Sequence, residues 1–313
     1  MVLLVHFVGA TFGLPSPDEL LADPTSAMLA KTALESISII GVNCFILISG
    51  YFGIRASWKG LANFTGWCIF ASLVVLGYSI FRGAEISVEL IVNSLLVYSS
   101  TDLWFVPAYL ALFILSPVLN GGLDSLPERK LVWFITGLLF LNVYLGWFRG
   151  GKVNQFGYNE MQMVLMYAVG YCIRRWARIL AAIPVRICAG LYVFATLGIF
   201  FMAFFIPSRT TFAYNSPFVI LASVAFFLIF SNMKPFHNRV VNWVASSAFM
   251  VYLLHKPPSV WAEIRQCLHY CHESYSMAGF VGASACLFIG IFAICILIDK
   301  LRIIVMRPIL KRL

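Results

Sequence analysis

The sequence predicts an all-α, polytopic integral membrane protein of about ten transmembrane helices with both termini cytoplasmic. Three observations predict it. Of 313 residues, 61% are hydrophobic and 11% charged, with a mean hydropathy of +0.89; soluble domains run near 45–50% apolar and about 25% charged. Apolar runs approaching the roughly 20 residues that cross a bilayer recur along the whole chain. Short clusters of Lys and Arg fall between those runs, as the positive-inside rule requires. This composition excludes an ordinary cytosolic enzyme, a disordered tail and a disulfide scaffold. The net charge of +9 does not point to nucleic acid, because a phosphate-tracking protein concentrates its cations on one soluble face. Membrane lipid is the expected surrounding. Cys44, Cys68, Cys188, Cys286 and Cys295 lie within apolar runs, where cysteine acts as a small hydrophobe and says little about redox compartment.

The elements follow in order from the apolar runs and their polar breaks. The first span, Met1–Leu14, has fourteen residues, about 21 Å of helix against a hydrocarbon core of about 30 Å. It lacks a basic cytoplasmic anchor and a basic n-region, so it does not read as a cleavable signal peptide. Either the start codon is placed late or half a helix has been lost; we favour the late start. Thr32–Ile54 and Leu61–Phe81 follow, separated by Arg55 and Lys59. Ile86–Tyr98 reads as an interfacial helix leading into the fourth span, Leu103–Val118, and Leu131–Trp147 is the fifth. The sixth, Met161–Ile173, is short, with thirteen residues. Ile187–Ile206, Ser216–Phe230, Val240–His255 and Met277–Ile298 complete the series, the ninth stopped by Pro257-Pro258. Charge parity decides for the sixth span. With ten spans, fifteen of the 22 Lys and Arg residues fall inside and 7 outside; deleting the sixth reverses those numbers. No linker, low-complexity tract or soluble domain interrupts residues 1–313, which form one domain.

Ionisable residues within membrane spans cost roughly 2.5–3.5 kcal/mol on insertion scales and so mark functional sites. His6 lies in mid-span if its helix extends upstream, and imidazole suits proton transfer near neutral pH; a histidine bonded to a neighbouring helix is the alternative. Glu35 lies near the outer end of the second span. Fourteen residues on comes Ser49, about 40° away on one helix face, so the two could line one cavity through Ser38 and Val42; a solvated interfacial Glu35 is the competing reading. His255 ends the ninth span one turn from Tyr252, and a terminal histidine at the interface needs no function. Asp102 precedes Trp104 at the outer mouth of the fourth span, where Trp104 alone would be an interfacial anchor. Cys267-Leu-His269-Tyr-Cys271-His272 has ligand-type residues, but no second cluster, so no metal is expected. Soluble catalytic motifs such as GxSxG, HExxH and the P-loop are absent.

The motifs, taken together, resemble a family. Asn43-Cys-Phe-Ile-Leu-Ile-Ser49-Gly50-Tyr51-Phe52 is similar to the phenylalanine–serine–glycine–aromatic signature of the membrane acyltransferase-3 family. Leu103-Trp104-Phe105-Val-Pro-Ala-Tyr109, with Leu115-Ser-Pro117, resembles its fourth-span motif. Tyr167-Ala-Val-Gly170-Tyr171 looks like its short Gly–Tyr span, Val251-Tyr252-Leu-Leu-His255 like its late Tyr–Leu–x–His motif, and His6 like its first-span histidine. The resemblance implies transfer of an acyl group, by default acetyl from acetyl-coenzyme A, to a hydroxyl of a cell-surface polysaccharide or lipid-linked saccharide in a bacterial cytoplasmic membrane. No permanently bound cofactor is implied. On this reading His6 is the catalytic base. Arg55 and Lys59 meet the donor's phosphates, though without the family's common Arg-x-x-Arg spacing. Glu35, Ser49, Tyr51, Asp102, Trp104, Tyr109, Tyr252 and His255 shape the acceptor site. In that family the histidine pairs with a basic residue eleven positions earlier, a position that here would precede Met1.

Two other readings compete. A buried histidine and acidic groups also serve a proton-coupled transporter or flippase, although matching halves are not evident. The missing basic partner would also suit an inactive membrane partner. Acceptor identity, acyl chain and oligomeric state are not written in the sequence.

Overall fold

The structure, a computed structural model, describes residues 1–99, 102–151 and 154–312, with helices as its regular elements and no strand among those residues. Lys152, counted above among the outer cations, lies outside them. Each predicted apolar span is helical. Among the described residues, six helices are long and apolar enough to cross a membrane: Ser26–Phe52, Trp58–Phe81, Phe105–Ser125, Glu128–Phe148, Val185–Met202 and Met277–Pro308. The remaining predicted spans are shorter helices.

The element order is α1 (Val2–Val5) running into a π-turn (His6–Ala10), α2 (Pro17–Ala22), α3 (Ser26–Ser38), α4 (Gly41–Phe52), α5 (Trp58–Phe81), α6 (Val88–Leu95) and α7 (Phe105–Ser125). Then come α8 (Glu128–Leu139), continuing as a π-helix over Phe140–Phe148, α9 (Glu160–Arg175), α10 (Ala177–Leu180), α11 (Val185–Met202), α12 (Ser208–Thr211) and α13 (Pro217–Ser231). The series ends with α14 (Arg239–Ala245), α15 (Ala248–His255), α16 (Pro258–Ser274) and α17 (Met277–Arg312). The predicted interfacial segment is α6, started by the Ser87 side chain, and all its residues are at least partly exposed. The ninth span is two helices, because the chain turns at Ser246-Ser247. The outward faces are apolar: Ile48, Val118, Phe194, Phe201 and Ile289 are all exposed, and only 11% of the most apolar window of α17 is buried. An apolar helix left uncovered in this way needs lipid around it, so the chain is a multi-pass membrane protein.

The chain divides into two compact units, Met1–Arg55 with Ala108–Pro235, and Ala56–Pro107 with Phe236–Leu313. In the first, α4 and α9 touch backbone to backbone. A Cβ on Gly50 would lie 2.0 Å from the Tyr167 carbonyl oxygen, and one on Gly170 would lie 2.3 Å from that of Leu47. Only glycine permits such an approach, which gives the Ser-Gly-aromatic and Gly–Tyr motifs a shared physical reason. In α7, Pro117 cannot donate to the Phe113 carbonyl, and the buried Ser116 hydroxyl donates to it instead at 2.7 Å.

The second unit is built on an aromatic core. The Phe249 ring lies 5.7 Å from Phe64, 5.5 Å from Trp67 and 6.2 Å from Phe105. Beside it Asp299 accepts from Trp67 Nε1 at 2.7 Å and pairs with Arg302 Nε at 2.7 Å. The Arg302 guanidinium also lies 4.3 Å above the Trp67 ring. Two charges so deep are tolerated because they meet each other and an indole donor.

Candidate functional site

His6, Glu35, Ser49, Tyr51, Arg55 and Tyr109 lie in the first unit, and Lys59, Asp102, Trp104, Tyr252 and His255 in the second. A Cβ on Gly41 would lie 3.0 Å from Met1 Cβ, and one on Gly9 would lie 3.1 Å from Glu35 Oε1. The first helix therefore runs antiparallel to α3 and α4, with His6 between the two contacts. His6 opens the π-turn, and the Thr11 hydroxyl donates to its carbonyl at 3.2 Å. Such turns break the regular i→i+4 ladder and often sit at functional sites.

Glu35 is 3% exposed, which removes the solvated-interface reading. Its Oε2 is buried with no hydrogen-bond partner among the described residues. The register reasoning that joined Glu35 to Ser49 assumed one uninterrupted helix, whereas α3 ends at Ser38 and α4 begins at Gly41. Hydroxyls explain the break: Ser36 donates to the Thr32 carbonyl at 2.7 Å and Ser38 to that of Leu34 at 2.7 Å, back-bonding that bends helices. Ile39 and Ile40 in the break keep right-handed helical dihedrals, so Glu35 and Ser49 remain on one span, Ser26–Phe52.

Ser49 Oγ donates to the Phe45 carbonyl at 3.1 Å and shares a hydrogen bond with the Tyr109 hydroxyl at 3.3 Å. Two motifs separated by 60 residues therefore meet at one pair of hydroxyls. Tyr51 does not join them; its ring packs on Phe227 at 5.4 Å. It lines an apolar cavity of about 270 Å³ with Cys44, Ile48, Phe226 and Phe230.

At the end of α4 the Tyr167 hydroxyl accepts from the Ile54 amide at 2.9 Å and donates to Asn120 Oδ1 at 2.7 Å. Asn120 Nδ2 in turn donates to the Ile54 carbonyl at 2.9 Å. The exposed Arg55 follows directly. Arg174, which the sequence reading did not single out, reaches this end: its Nη1 lies 3.4 Å from where a Gly53 Cβ would stand. Arg175, its neighbour, is committed to the Leu123 and Leu126 carbonyls at 3.0 Å each.

The opposite end of this unit carries a second cluster that the sequence reading missed. The Tyr158 and Tyr214 rings are 4.9 Å apart, and the exposed Arg209 lies 4.4 Å above the Phe156 ring. Phe156 adopts φ 64°, an uncommon conformation for a residue with a side chain. Burial around the Tyr158 hydroxyl, and next the Glu35 carboxyl, raise its pKa; the hydrogen bond to Tyr214 and the Arg209 charge oppose them. The one signal in the sequence was the Phe156-Gly157-Tyr158 turn itself.

In the second unit Lys59 is exposed at the start of α5. Asp102 lines a cavity of about 190 Å³ with Asn93, Ser94, Leu253 and Pro257. Trp104 packs edge-on to Phe105, and Tyr252 packs against Phe105 at 5.9 Å. His255 is 1% exposed. Its Nδ1 bonds the Val251 carbonyl, so that nitrogen carries the proton, and its ring lies 6.3 Å from Trp261. The Cys267–His272 segment runs along α16, and among the described residues no group of three His, Cys, Asp or Glu side chains is placed to hold a metal.

A family model described as an acyltransferase domain matches residues 1–300. No curated protein and no solved structure matches the chain.

Proposed function

The chain belongs to the membrane acyltransferase-3 family, and from that premise we propose that it transfers an acyl group, acetyl by default, from acyl-coenzyme A to a hydroxyl of a cell-surface glycan or lipid-linked saccharide. The observation that carries this reading is the family match over residues 1–300. The packing of the His6 turn against Glu35 and the Ser49–Tyr109 contact support it. The match favours acyl transfer over the transporter or flippase reading.

In the proposed reaction His6 takes the proton of the acceptor hydroxyl as its oxygen attacks the thioester carbonyl. The new C–O bond forms, the C–S bond breaks, and the imidazolium returns the proton to the departing thiolate. A positioned general base contributes about 10²–10⁴-fold. Arg55 and Lys59 are assigned to the donor's phosphates, to which Arg174 is added, since a guanidinium pairs well with phosphate. Glu35, Ser49 and Tyr109 shape the acceptor side, with Tyr51 at its edge. Asp102, Trp104, Tyr252 and His255 are assigned to acceptor contacts on their motifs alone. The proposed setting is a bacterial cytoplasmic membrane, crossed ten times with both termini inside.

The test is the O-acetyl content of surface glycans in a host lacking the gene, rescued by the unaltered protein or by His6→Ala. Acetyl groups restored only by the unaltered protein are the expected result. Full rescue by His6→Ala overturns the base assignment, and glycans unchanged by the deletion overturn the acceptor.

A further inference from the structure

The end of the first unit that carries Glu35 also carries Tyr158, Tyr214 and Arg209, which neither the motifs nor the family match assign. Exposure falls steadily across the cluster. Tyr158 is 47% exposed, Tyr214 6% and Glu35 3%, so the cluster opens at Tyr158 and Arg209 and closes on a carboxyl group. That carboxyl keeps one buried oxygen without a partner among the described residues, a rare condition that calls for a donor from elsewhere. The aromatic surface is held rigidly. The Tyr214 carbonyl accepts from Asn43 Nδ2 at 2.9 Å and Gln162 Nε2 at 2.8 Å, and its amide donates to the Phe156 carbonyl at 3.0 Å. Gly157, at φ 77°, lets the chain pass so close that a Cβ there would lie 2.8 Å from Tyr214 Cβ. Rigid tyrosines offer apolar area and a polar tip at small entropic cost.

We propose that this cluster is the recognition site for the acceptor's sugar ring. A neutral hexopyranoside donates hydroxyls to the Glu35 carboxyl, accepts from the Arg209 guanidinium, and rests its apolar face on the Tyr158–Tyr214 surface. The proposal rests on the acyltransferase reading for calling the sugar an acceptor. The position is also apt: Glu35 lies against Gly9, in the same π-turn as His6, the proposed base.

The test is saturation-transfer NMR on the full chain in detergent, with methyl α-D-glucopyranoside and methyl β-D-galactopyranoside as probes and no acyl donor present. At least one of these neutral glycosides is expected to bind in about the millimolar range of a small polar ligand. Tyr158→Ala and Arg209→Met, both at exposed positions, should each weaken binding about tenfold while melting with the unaltered protein. Glu263→Gln, in a surface ion pair of the second unit, should leave binding unchanged. Absence of binding by both neutral glycosides, or equal binding by all variants, overturns the proposal. Intact binding with no acyl transfer refutes the enzyme reading alone; acyl transfer without sugar binding refutes the recognition site alone.

Discussion

Replacing Gly50 with alanine should be among the most damaging single-methyl changes in the protein. The added Cβ would stand 2.0 Å from the Tyr167 carbonyl oxygen, 2.8 Å from its carbon and 2.9 Å from its Cα, whereas real Cβ contacts essentially never fall below 3.0 Å. All three atoms are backbone inside α9, so none can swing aside as a side chain would. The helices must separate by about 1 Å, and overpacking of this kind costs about 1–3 kcal/mol, occasionally more. We place it at the upper end, because Tyr167 also anchors Ile54 and Asn120 and those hydrogen bonds stretch with it. Gly170→Ala, facing Leu47 across the same contact, should behave alike. Gly121→Ala and Gly122→Ala provide the contrast: nothing lies within 4 Å of either added methyl, and alanine gains about 0.5–1 kcal/mol over glycine in a helix. The assay is thermal unfolding in detergent, followed by a fluorogenic thiol reagent reaching the buried Cys172 and Cys188. The α4–α9 variants should melt at least about 5 °C lower, and the α7 variants no lower than the unaltered protein. A Gly50→Ala protein melting within a degree of the original would refute the backbone contact.

Three further outcomes follow from single interactions. Asp299→Asn strands the Arg302 charge, whose side chain is 5% exposed, and should cost about 3–5 kcal/mol; the double change Asp299→Leu with Arg302→Met should recover most of that in the same melt. Ser116→Ala leaves the Phe113 carbonyl without its hydroxyl donor and should cost about 1–3 kcal/mol, a loss that adding Pro117→Ala repairs by restoring an amide donor. Hydrogen bonds from the Ser16 amide at 2.7 Å and hydroxyl at 2.9 Å hold the Glu19 pKa below its ordinary 4.5. A depressed carboxyl pKa stabilises fully above the unfolded value and loses that contribution as pH falls through the folded one. Amide exchange at Asp18–Leu20 should therefore be slower than in Glu19→Gln at neutral pH and equal to it in acid below both values; a difference that persists in acid counts against the capping box.

The helices were legible because lipid makes one demand on every span, an apolar run long enough to cross. What periodicity could not show were the interruptions. The π-turn at His6–Ala10 and the break between Ser38 and Gly41 arise from hydroxyls and close packing, and neither alters the count of apolar residues. The break falls between Glu35 and Ser49, but Ile39 and Ile40 within it keep right-handed helical dihedrals, so both residues stay on one span, Ser26–Phe52. The Ser49–Tyr109 contact was foreshadowed by motifs that resemble a family, but the pairing itself is a tertiary fact. Arg209 and Tyr158 were invisible for the same reason. In the sequence Arg209 is one outer-loop cation among several; only the fold sets it over Phe156.

The polar residues buried in the first unit have one task in common. Asn43 and Gln162 bond each other and the Tyr214 carbonyl. Asn215 donates to the Asn142 and Asn154 carbonyls at 3.0 and 2.7 Å, and Asn154 bonds the Asn142 side chain. Amides are costly to bury unless bonded, and here they spend their donors on the chain just before α13. That segment carries Tyr214 and, through the Phe156 carbonyl, fixes the turn that carries Tyr158. Loops at the end of a helical unit would ordinarily be its most mobile parts. Tying them to side chains that project from Ser26–Phe52 and Glu128–Phe148 gives them the rigidity of the spans themselves. A binding surface for a weakly held ligand needs such rigidity, because little interaction energy is left to order it at the moment of binding. Asn43, inside the Ser-Gly-aromatic motif, is therefore as much a part of the Tyr158–Tyr214 cluster as of the helix in which it lies.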